Sequence, residues 1–250
     1  MNFSQINFGL FGLKLFGLWI GIAFFVAAWY WYKTIQKERM AQGFFVHHFW
    51  RWLLGGILLG RLGALIRTPE IFDTYGLFSF FAVWEAELHF ISFVIGFLLV
   101  MYTDLKRHEK KPLQWIDSGV KPFLIAMMLA DIAGFLTGAM YGIETSLFWG
   151  VKYEAMGVKI LSTVHPVTLY ALAGHVLIWF AVKHYWTKWK KIPGKIATMV
   201  GVLFFGFDAV WQFLRADETF MLFGTMRVEQ FLDIIICAAL VYWYRRNYRD

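Results

Sequence analysis

Long apolar stretches restrict the fold of this chain more than any other feature. A helix needs about 20 mostly apolar residues to cross a bilayer, so runs of about 18 or more indicate membrane spans. We place seven such runs near residues 8–32, 44–66, 77–102, 123–143, 166–186, 196–214 and 229–245. The predicted fold class is an all-α polytopic membrane protein, in which residues 1–250 form a single membrane domain.

Lysine and arginine are distributed unevenly among the loops between these runs. The first, third and fifth connections and the C-terminal tail are rich in them, as Lys106, Lys190 and Arg245 illustrate, whereas the other connections carry few. Loops rich in lysine and arginine face the cytoplasm, so the sequence predicts an N-terminus outside and a cytoplasmic C-terminus. The first run lacks a basic leader and a cleavage site, and we expect it to be retained as a span.

Composition excludes several classes of protein. Hydrophobic residues make up 59% of the chain and aromatic residues 20%, far from the profile of a soluble globular domain. The net charge of +7 lies in juxtamembrane loops, where it meets anionic lipid, so no nucleic-acid partner is expected. Cys237 is the single cysteine, which excludes an intrachain disulfide and a cysteine-based metal cluster.

Ionisable side chains inside the apolar runs mark the candidate site. A charge at bilayer depth costs about 2.5 to 3.5 kcal/mol on insertion scales, so each one needs a partner or a wet cavity. With the predicted orientation, most of these groups lie in the outer half of the membrane; they are Arg61, Glu85, Glu87, His89, His165, Asp208, Gln212, Arg215, Arg227 and Glu229. We predict a polar cavity there, while structural ion pairs are an equal alternative for those nearest the water.

Helical spacing groups some of these residues. Glu85 and His89 share one helical face, as do Asp208, Gln212 and Arg215. Asp131 lies in the middle of the fourth run, and three roles stay open for it: a neutral acid, a partner of Arg61, or part of the site. In the same run Gly134, Gly138 and Gly142 recur at a spacing of four, which favours close approach of a neighbouring helix.

No cofactor and no metal site is predicted from the sequence. A retinal protein requires a Schiff-base lysine in the last run, and residues 229–245 contain none. Two axial histidines for a b-type haem stay a minor alternative, because His47 or His48 lies at a depth similar to that of His175. The chain also lacks the Gly-x-Ser-x-Gly, P-loop and His-Glu-x-x-His patterns of common hydrolases, nucleotide-binding proteins and zinc proteases.

Short motifs along the whole chain resemble those of one enzyme family. Residues 60–63 (Gly-Arg-Leu-Gly) resemble its Ala-Arg-Leu-Gly, and residues 84–85 its Trp-Glu-Gly-Gly. Residues 165–170 match its His-Pro-Ser-Gln-Leu-Tyr, and residues 213–217 follow its Phe-Phe-Arg-x-Pro-Asp without the proline. The chain thereby resembles bacterial phosphatidylglycerol:prolipoprotein diacylglyceryl transferase. This implies a seven-span protein of the bacterial cytoplasmic membrane that moves diacylglyceryl from phosphatidylglycerol to a lipobox cysteine.

The resemblance and the chemistry together suggest roles for individual residues. Arginine can hold a phosphate by bidentate contact, and a thiol acceptor needs a base. We therefore expect the catalytic candidates to be His89 and His165. The expected headgroup-binding residues are Arg61, Glu85, Tyr170, Asp208, Gln212 and Arg215.

Two departures from the family pattern shape the functional hypothesis. Where the family has Phe-His-Gly-Gly, this chain has Ile91 at the histidine position, and His89 lies about 200° away around the helix. Asp131 replaces the arginine of the fourth-span signature. We therefore predict binding of a phospholipid, such as phosphatidylglycerol, or a lipidated peptide, without the parent chemistry. The alternatives are an active lipid transferase with rearranged groups, or a structural subunit that binds a lipoprotein or another membrane protein.

Overall fold

Long helices form most of the chain, as the apolar runs predict. The computed structural model describes residues 5–8, 11–70, 73, 76–81, 88–153, 158, 160, 162–217, 221–222, 224 and 226–248. The helices are α1 (Leu15–Lys37), α2 (Gln42–Arg67), α3 (Phe90–Arg107), α4 (Pro112–Thr137), α5 (Val167–Trp189), α6 (Lys195–Trp211) and α7 (Val228–Asn247), with 3-10 turns at Gly76–Phe80 and Gln212–Leu214. Two short antiparallel hairpins pair β1 (Gln5–Phe8) with β2 (Phe11–Lys14) and β3 (Met221–Leu222) with β4 (Met226–Arg227).

Five of the described helical segments are long and apolar enough to cross a membrane. They are Leu15–Lys37, Gln42–Arg67, Pro112–Thr137, Val167–Trp189 and Lys195–Leu214. Helices α3 and α7 carry more charge, since Asp104 and Arg107 lie in the former and Glu229 and Asp233 in the latter. The chain is thus a helical membrane protein, whereas seven spans, the orientation of the termini and a single domain over residues 1–250 stay predictions.

The helix ends differ from the predicted runs at several places, and α4 begins at Pro112 rather than near residue 123. Residues 11–14, expected inside the first span, form strand β2. The third run was expected to begin near residue 77, but residues 76–80 form a 3-10 helix and α3 begins at Phe90, after the cap residue His89. Helix α4 ends at Thr137 and not near residue 143, because Gly138 adopts a φ of +73°, a backbone angle that residues other than glycine rarely adopt.

The chain divides into two compact units. The first unit contains Met1–Lys33 and Asp117–Asp250, and the second contains Thr34–Ile116. In the first unit, α4, α5 and α6 surround a buried apolar core of Val120, Leu124, Ile178, Val182, Ile196, Val200 and Phe204. A carboxylate from α4 fixes the start of α6, since Asp117 accepts hydrogen bonds from the backbone N–H groups of Gly194 (2.6 Å) and Ala197 (2.8 Å).

In the second unit, α2 packs closely along α3. A Cβ atom on Gly96 would collide with the carbonyl oxygen of Gly55, and one on Gly56 would lie 2.9 Å from the Phe93 ring. Small residues therefore let the two helix backbones touch, as is common between membrane helices. This contact fixes the register between α2 and α3 and so positions the polar groups at both ends of the pair.

Candidate functional site

A buried network of acids and amides joins α6 to α7 in the first unit. Gln212 donates hydrogen bonds through Nε2 to Asp208 (2.8 Å) and to Asp233. Asp208 also accepts a 2.8 Å bond from the indole N–H of Trp211, and Gln230 donates to the Ala209 carbonyl. The contact confirms the predicted shared face for Asp208 and Gln212, and the network ties the end of α6 to the first turns of α7. Arg215, predicted on the same face, lies in extended backbone after the 3-10 turn and binds Asp217.

Arg215, Asp217 and Arg227 form a second group that we call the guanidinium clasp. Arg215 binds the carboxylate of Asp217 through both Nε (2.9 Å) and Nη2, and Nη1 of Arg227 lies 3.5 Å from the same carboxylate. Arg227 also donates to the backbone carbonyls of Arg215 and Asp217. Two guanidinium groups thus share the carboxylate of Asp217.

The environment keeps Arg215 charged. Burial alone disfavours the charged guanidinium, yet the hydrogen bonds and charge of Asp217, with the charges of Asp208 and Glu229, raise the pKa of Arg215 above its ordinary value. The side chain is 17% exposed and that of Asp217 19%, so the clasp still meets the surface. Arg215 is therefore a permanent cation within reach of a ligand.

His165 and Tyr170 lie together at the start of α5. Nδ1 of His165 is 3.1 Å from the Tyr170 hydroxyl oxygen, which accepts a 2.8 Å hydrogen bond from the indole N–H of Trp149. Two residues that the sequence nominated separately are therefore hydrogen-bonded to each other. An imidazole beside a phenol can donate to an anion or transfer a proton.

One backbone segment brings the clasp and this histidine to the same region. Residues 141–143 bond on one side to the chain after α6, through Ile143 N to Leu214 O (2.8 Å) and Ala216 N to Tyr141 O (2.9 Å). On the other side, the N–H of His165 donates to Ile143 O at 3.0 Å. Gly142 allows this approach, because a Cβ there would lie 2.5 Å from the His165 carbonyl oxygen. Of the predicted glycine stripe, only Gly134 lies within α4, where it faces Thr168.

Asp131 pairs with His175 inside the helices of the first unit. The Asp131 carboxylate is 2.6 Å from Nδ1 of His175, and both residues are buried. The His175 ring stacks on Phe204 with ring centroids 5.0 Å apart. None of the three roles left open for Asp131 named this partner, and the structure gives the residue a buried pair with His175.

The predicted residues of the second unit hold the backbone in place. Arg61 is 1% exposed and donates to the carbonyl oxygens of Ser79 and Phe80, the end of the 3-10 helix. His89 caps α3, with Nδ1 beside the Ser92 backbone N–H (3.4 Å) and hydroxyl (2.8 Å). Glu85 and Glu87 lie outside the described residues. Roles for Arg61, Glu85 and His89 in a site therefore stay predictions.

Comparison with known proteins gives the family. The sequence model of prolipoprotein diacylglyceryl transferase matches residues 4–245. This chain belongs to the prolipoprotein diacylglyceryl transferase family. It is 26% identical over 257 residues to phosphatidylglycerol–prolipoprotein diacylglyceryl transferase of Cupriavidus pinatubonensis, covering 98% of this chain and 92% of that protein. The same-named protein of Cupriavidus metallidurans is 27% identical, covering 97% and 93%, and that of Wolbachia from Culex pipiens is 26% identical, covering 100% and 97%.

The two positions that depart from the motif resemblance lie in defined surroundings. Ile91 is 6% exposed and belongs to the apolar core. Asp131 is bound to His175. The effect of these two residues on the chemistry stays a prediction.

Sequence reasoning missed several residues of this site. Asp217 was noted only as part of a motif, and Gln230 and Asp233 were not singled out. The sequence could have indicated Asp233, because it follows Glu229 by four residues in an otherwise apolar run and so shares its helical face. His175 was considered only as a haem ligand, although a histidine and an acid in neighbouring spans are natural partners.

Proposed function

We propose that this protein binds the anionic headgroup of a phospholipid, or of a lipidated peptide, at the guanidinium clasp, without carrying out the family's transfer reaction. One observation carries the proposal. Arg215 and Arg227 lie on one side of residues 141–143, and His165 and Tyr170 lie on the other side. We place this site at the outer face of the bacterial cytoplasmic membrane, following the loop charges.

The chemistry of the clasp suits a phosphate. Two guanidinium groups present planar pairs of donors, and a phosphate accepts such pairs as a carboxylate does. Asp217 holds the position that a headgroup phosphate takes when it binds, so ligand and carboxylate compete for the same donors. The hydroxyl of Tyr170 and the imidazole of His165 supply further neutral donors for headgroup oxygens.

The absence of transfer follows from the residues at the altered positions. Transfer to a thiol requires a base that reaches it, and Ile91 provides none where the family has histidine. A carboxylate at position 131 repels a phosphate that an arginine would attract. His89 is engaged in capping α3, which favours a structural role for this imidazole.

Transfer of diacylglyceryl from phosphatidylglycerol to a prolipoprotein is the second candidate function. Two observations favour it: the family match extends over residues 4–245, and the His165 imidazole lies 3.1 Å from the Tyr170 hydroxyl. A neutral imidazole there can accept a proton from a thiol that approaches the clasp.

Lipid retention tests the binding proposal. Protein purified in native lipid is expected to retain phospholipid, and Arg215→Ala is expected to reduce its occupancy about tenfold because a charge-assisted bidentate contact is lost. Asp217→Asn is expected to raise occupancy, since the competing charge is removed. Arg246→Ala, an exposed arginine at the other end of α7, is the matched control. Equal retention in wild type, Arg215→Ala and Asp217→Asn would contradict the proposal.

A transfer assay decides between the two candidates. The wild-type protein is incubated with phosphatidylglycerol and a lipobox peptide, and the peptide mass is measured against a no-protein control. We expect no lipidated peptide. If product forms and disappears in His165→Ala while His184→Ala keeps full activity, the second candidate replaces the first.

A further inference from the structure

Two histidines and an aspartate converge at the end of the α2–α3 pair that is opposite to Arg61. Nε2 of His48 lies 4.0 Å from Oδ1 of Asp104, and Nδ1 of His108 lies 3.5 Å from the same oxygen. One donor atom from each residue lies within 4.8 Å of the other two. His48 comes from α2, whereas Asp104 and His108 lie four residues apart at the end of α3 and so share a face.

The surrounding groups orient two of these side chains. The carbonyl oxygen of Phe44 is 2.9 Å from Nδ1 of His48, which places the proton on Nδ1 and leaves the Nε2 lone pair directed towards Asp104. The indole N–H of Trp52 donates a 2.9 Å bond to Oδ2 of Asp104 and leaves Oδ1 to the histidines. Histidine–carbonyl and donor–carboxylate contacts of this kind position metal ligands in proteins.

We propose that His48, Asp104 and His108 bind a divalent first-row transition metal ion, with Zn²⁺ as the first candidate. Two imidazole nitrogens and one carboxylate oxygen are a common three-ligand set for such ions, and water completes the coordination. Ligands around tetrahedral Zn²⁺ lie about 3.4 Å apart, close to the 3.5 and 4.0 Å found here. Since all three ligand atoms lie within 4.8 Å of one another, the side chains need to contract by about 1.4 Å at most.

His108 makes the largest adjustment. Its Nδ1 lies 2.8 Å from the backbone carbonyl oxygen of Asp104, a contact that it exchanges for the metal. The side chain is 44% exposed and sits at the cap of α3, and its ring makes edge contacts with the Phe44 and His48 rings. The other two ligands lie on helices whose close backbone contact keeps them fixed.

Two lysines near this end of α3 lie over aromatic rings. Lys110 lies over the Phe44 ring with Nζ 5.8 Å from the centroid, and Lys106 lies over the Tyr102 ring at 5.9 Å. Both ammonium groups thus have aromatic partners. The carboxylate of Asp104 faces two imidazoles and the Trp52 N–H, and neutral imidazoles are the form that binds a metal.

Zinc binding to the full-length protein tests the proposal. Protein in lipid nanodiscs is stripped with a chelator and titrated with Zn²⁺, while Co²⁺ is used in parallel because its visible absorption reports nitrogen and oxygen ligation. We expect one equivalent of Zn²⁺ and no comparable binding of Mg²⁺, which prefers oxygen ligands. Affinity is expected to fall with decreasing pH as the imidazoles become protonated.

Single substitutions identify the ligands. Loss of a supporting partner weakens metal binding about 10- to 100-fold, so His48→Ala and Asp104→Asn are expected to weaken Zn²⁺ binding at least about 100-fold. The amide introduced by Asp104→Asn keeps an acceptor for Trp52. His47→Ala is the matched control, since His47 is an exposed neighbour outside the group. If His48→Ala does not fold, the exposed His108→Ala decides. The assignment would be overturned if the wild-type protein did not bind Zn²⁺. It would also be overturned if His108→Ala and His47→Ala bound Zn²⁺ equally well.

Discussion

The Asp131–His175 pair and the guanidinium clasp, both in the first unit, differ in burial and in charge. Asp131 and His175 are 4% and 1% exposed, and one carboxylate meets one imidazole between α4 and α5. In the clasp, one carboxylate meets two guanidinium groups, and the side chains of Arg215 and Asp217 reach the surface. The pair is enclosed, whereas the clasp is partly exposed.

The difference indicates which of the two groups can exchange partners with a ligand. Removing one member of an enclosed pair leaves a buried polar group without compensation, so such a pair favours a fixed structure. At the clasp, the proposed function requires a second anion to replace or join Asp217, and the partial exposure of Arg215 and Asp217 favours such an exchange. Asp131 thus has a structural partner, and under the proposed function the clasp is the group that binds the anion.

The largest expected effect tests the structural role of the pair. Asp131→Ala is expected to lower the free energy of unfolding by about 3 to 5 kcal/mol, because His175 loses its buried partner. Asp131→Asn keeps an acceptor and is expected to cost about 1 kcal/mol. Thermal unfolding of both variants in the same detergent measures the difference. Equal stability of Asp131→Ala and wild type would show that the pair does not hold the helices.

A smaller effect separates the two arginines of the clasp. Arg227→Ala is expected to cost about 2 kcal/mol of stability, because this 8% exposed side chain bonds two backbone carbonyls. Arg215→Ala is expected to cost about 1 kcal/mol, since its main partner is a partly exposed carboxylate. Unfolding and lipid retention are measured on the same samples. If Arg215→Ala is the less stable variant, the division between a structural and a binding arginine is wrong.

The lengths of the apolar runs and the spacing of residues within them were sufficient to predict much of the fold. The helical class, the approximate positions of the helices and the contact between Asp208 and Gln212 all depend on residues near in sequence. Helix ends were harder to predict, because they depend on the backbone conformation of single residues such as Gly138 and on the cap formed by His89.

Partners from distant parts of the chain could not be read from the sequence. The clasp depends on a turn that brings Asp217 back to Arg215 and on β4, which presents Arg227. His108, which follows Arg107 in the basic third connection, lies beside Asp104 and His48. The sequence shows the spacing of four between Asp104 and His108. His48, the third residue of the proposed metal site, is brought to them by the packing of α2 on α3.

The smallest expected effect concerns the hydroxyl of Tyr170. Tyr170→Phe removes the acceptor for Trp149 and the partner of His165, at an expected cost of about 1 kcal/mol or less because both groups are near water. Phospholipid retention is expected to fall about twofold to threefold, well below the loss in Arg215→Ala, since a neutral donor binds phosphate less strongly than a guanidinium. Tyr185→Phe, a tyrosine at the other end of α5, is the control. A larger loss of lipid in Tyr170→Phe than in Arg215→Ala would move the centre of the site from the clasp to the His165–Tyr170 pair.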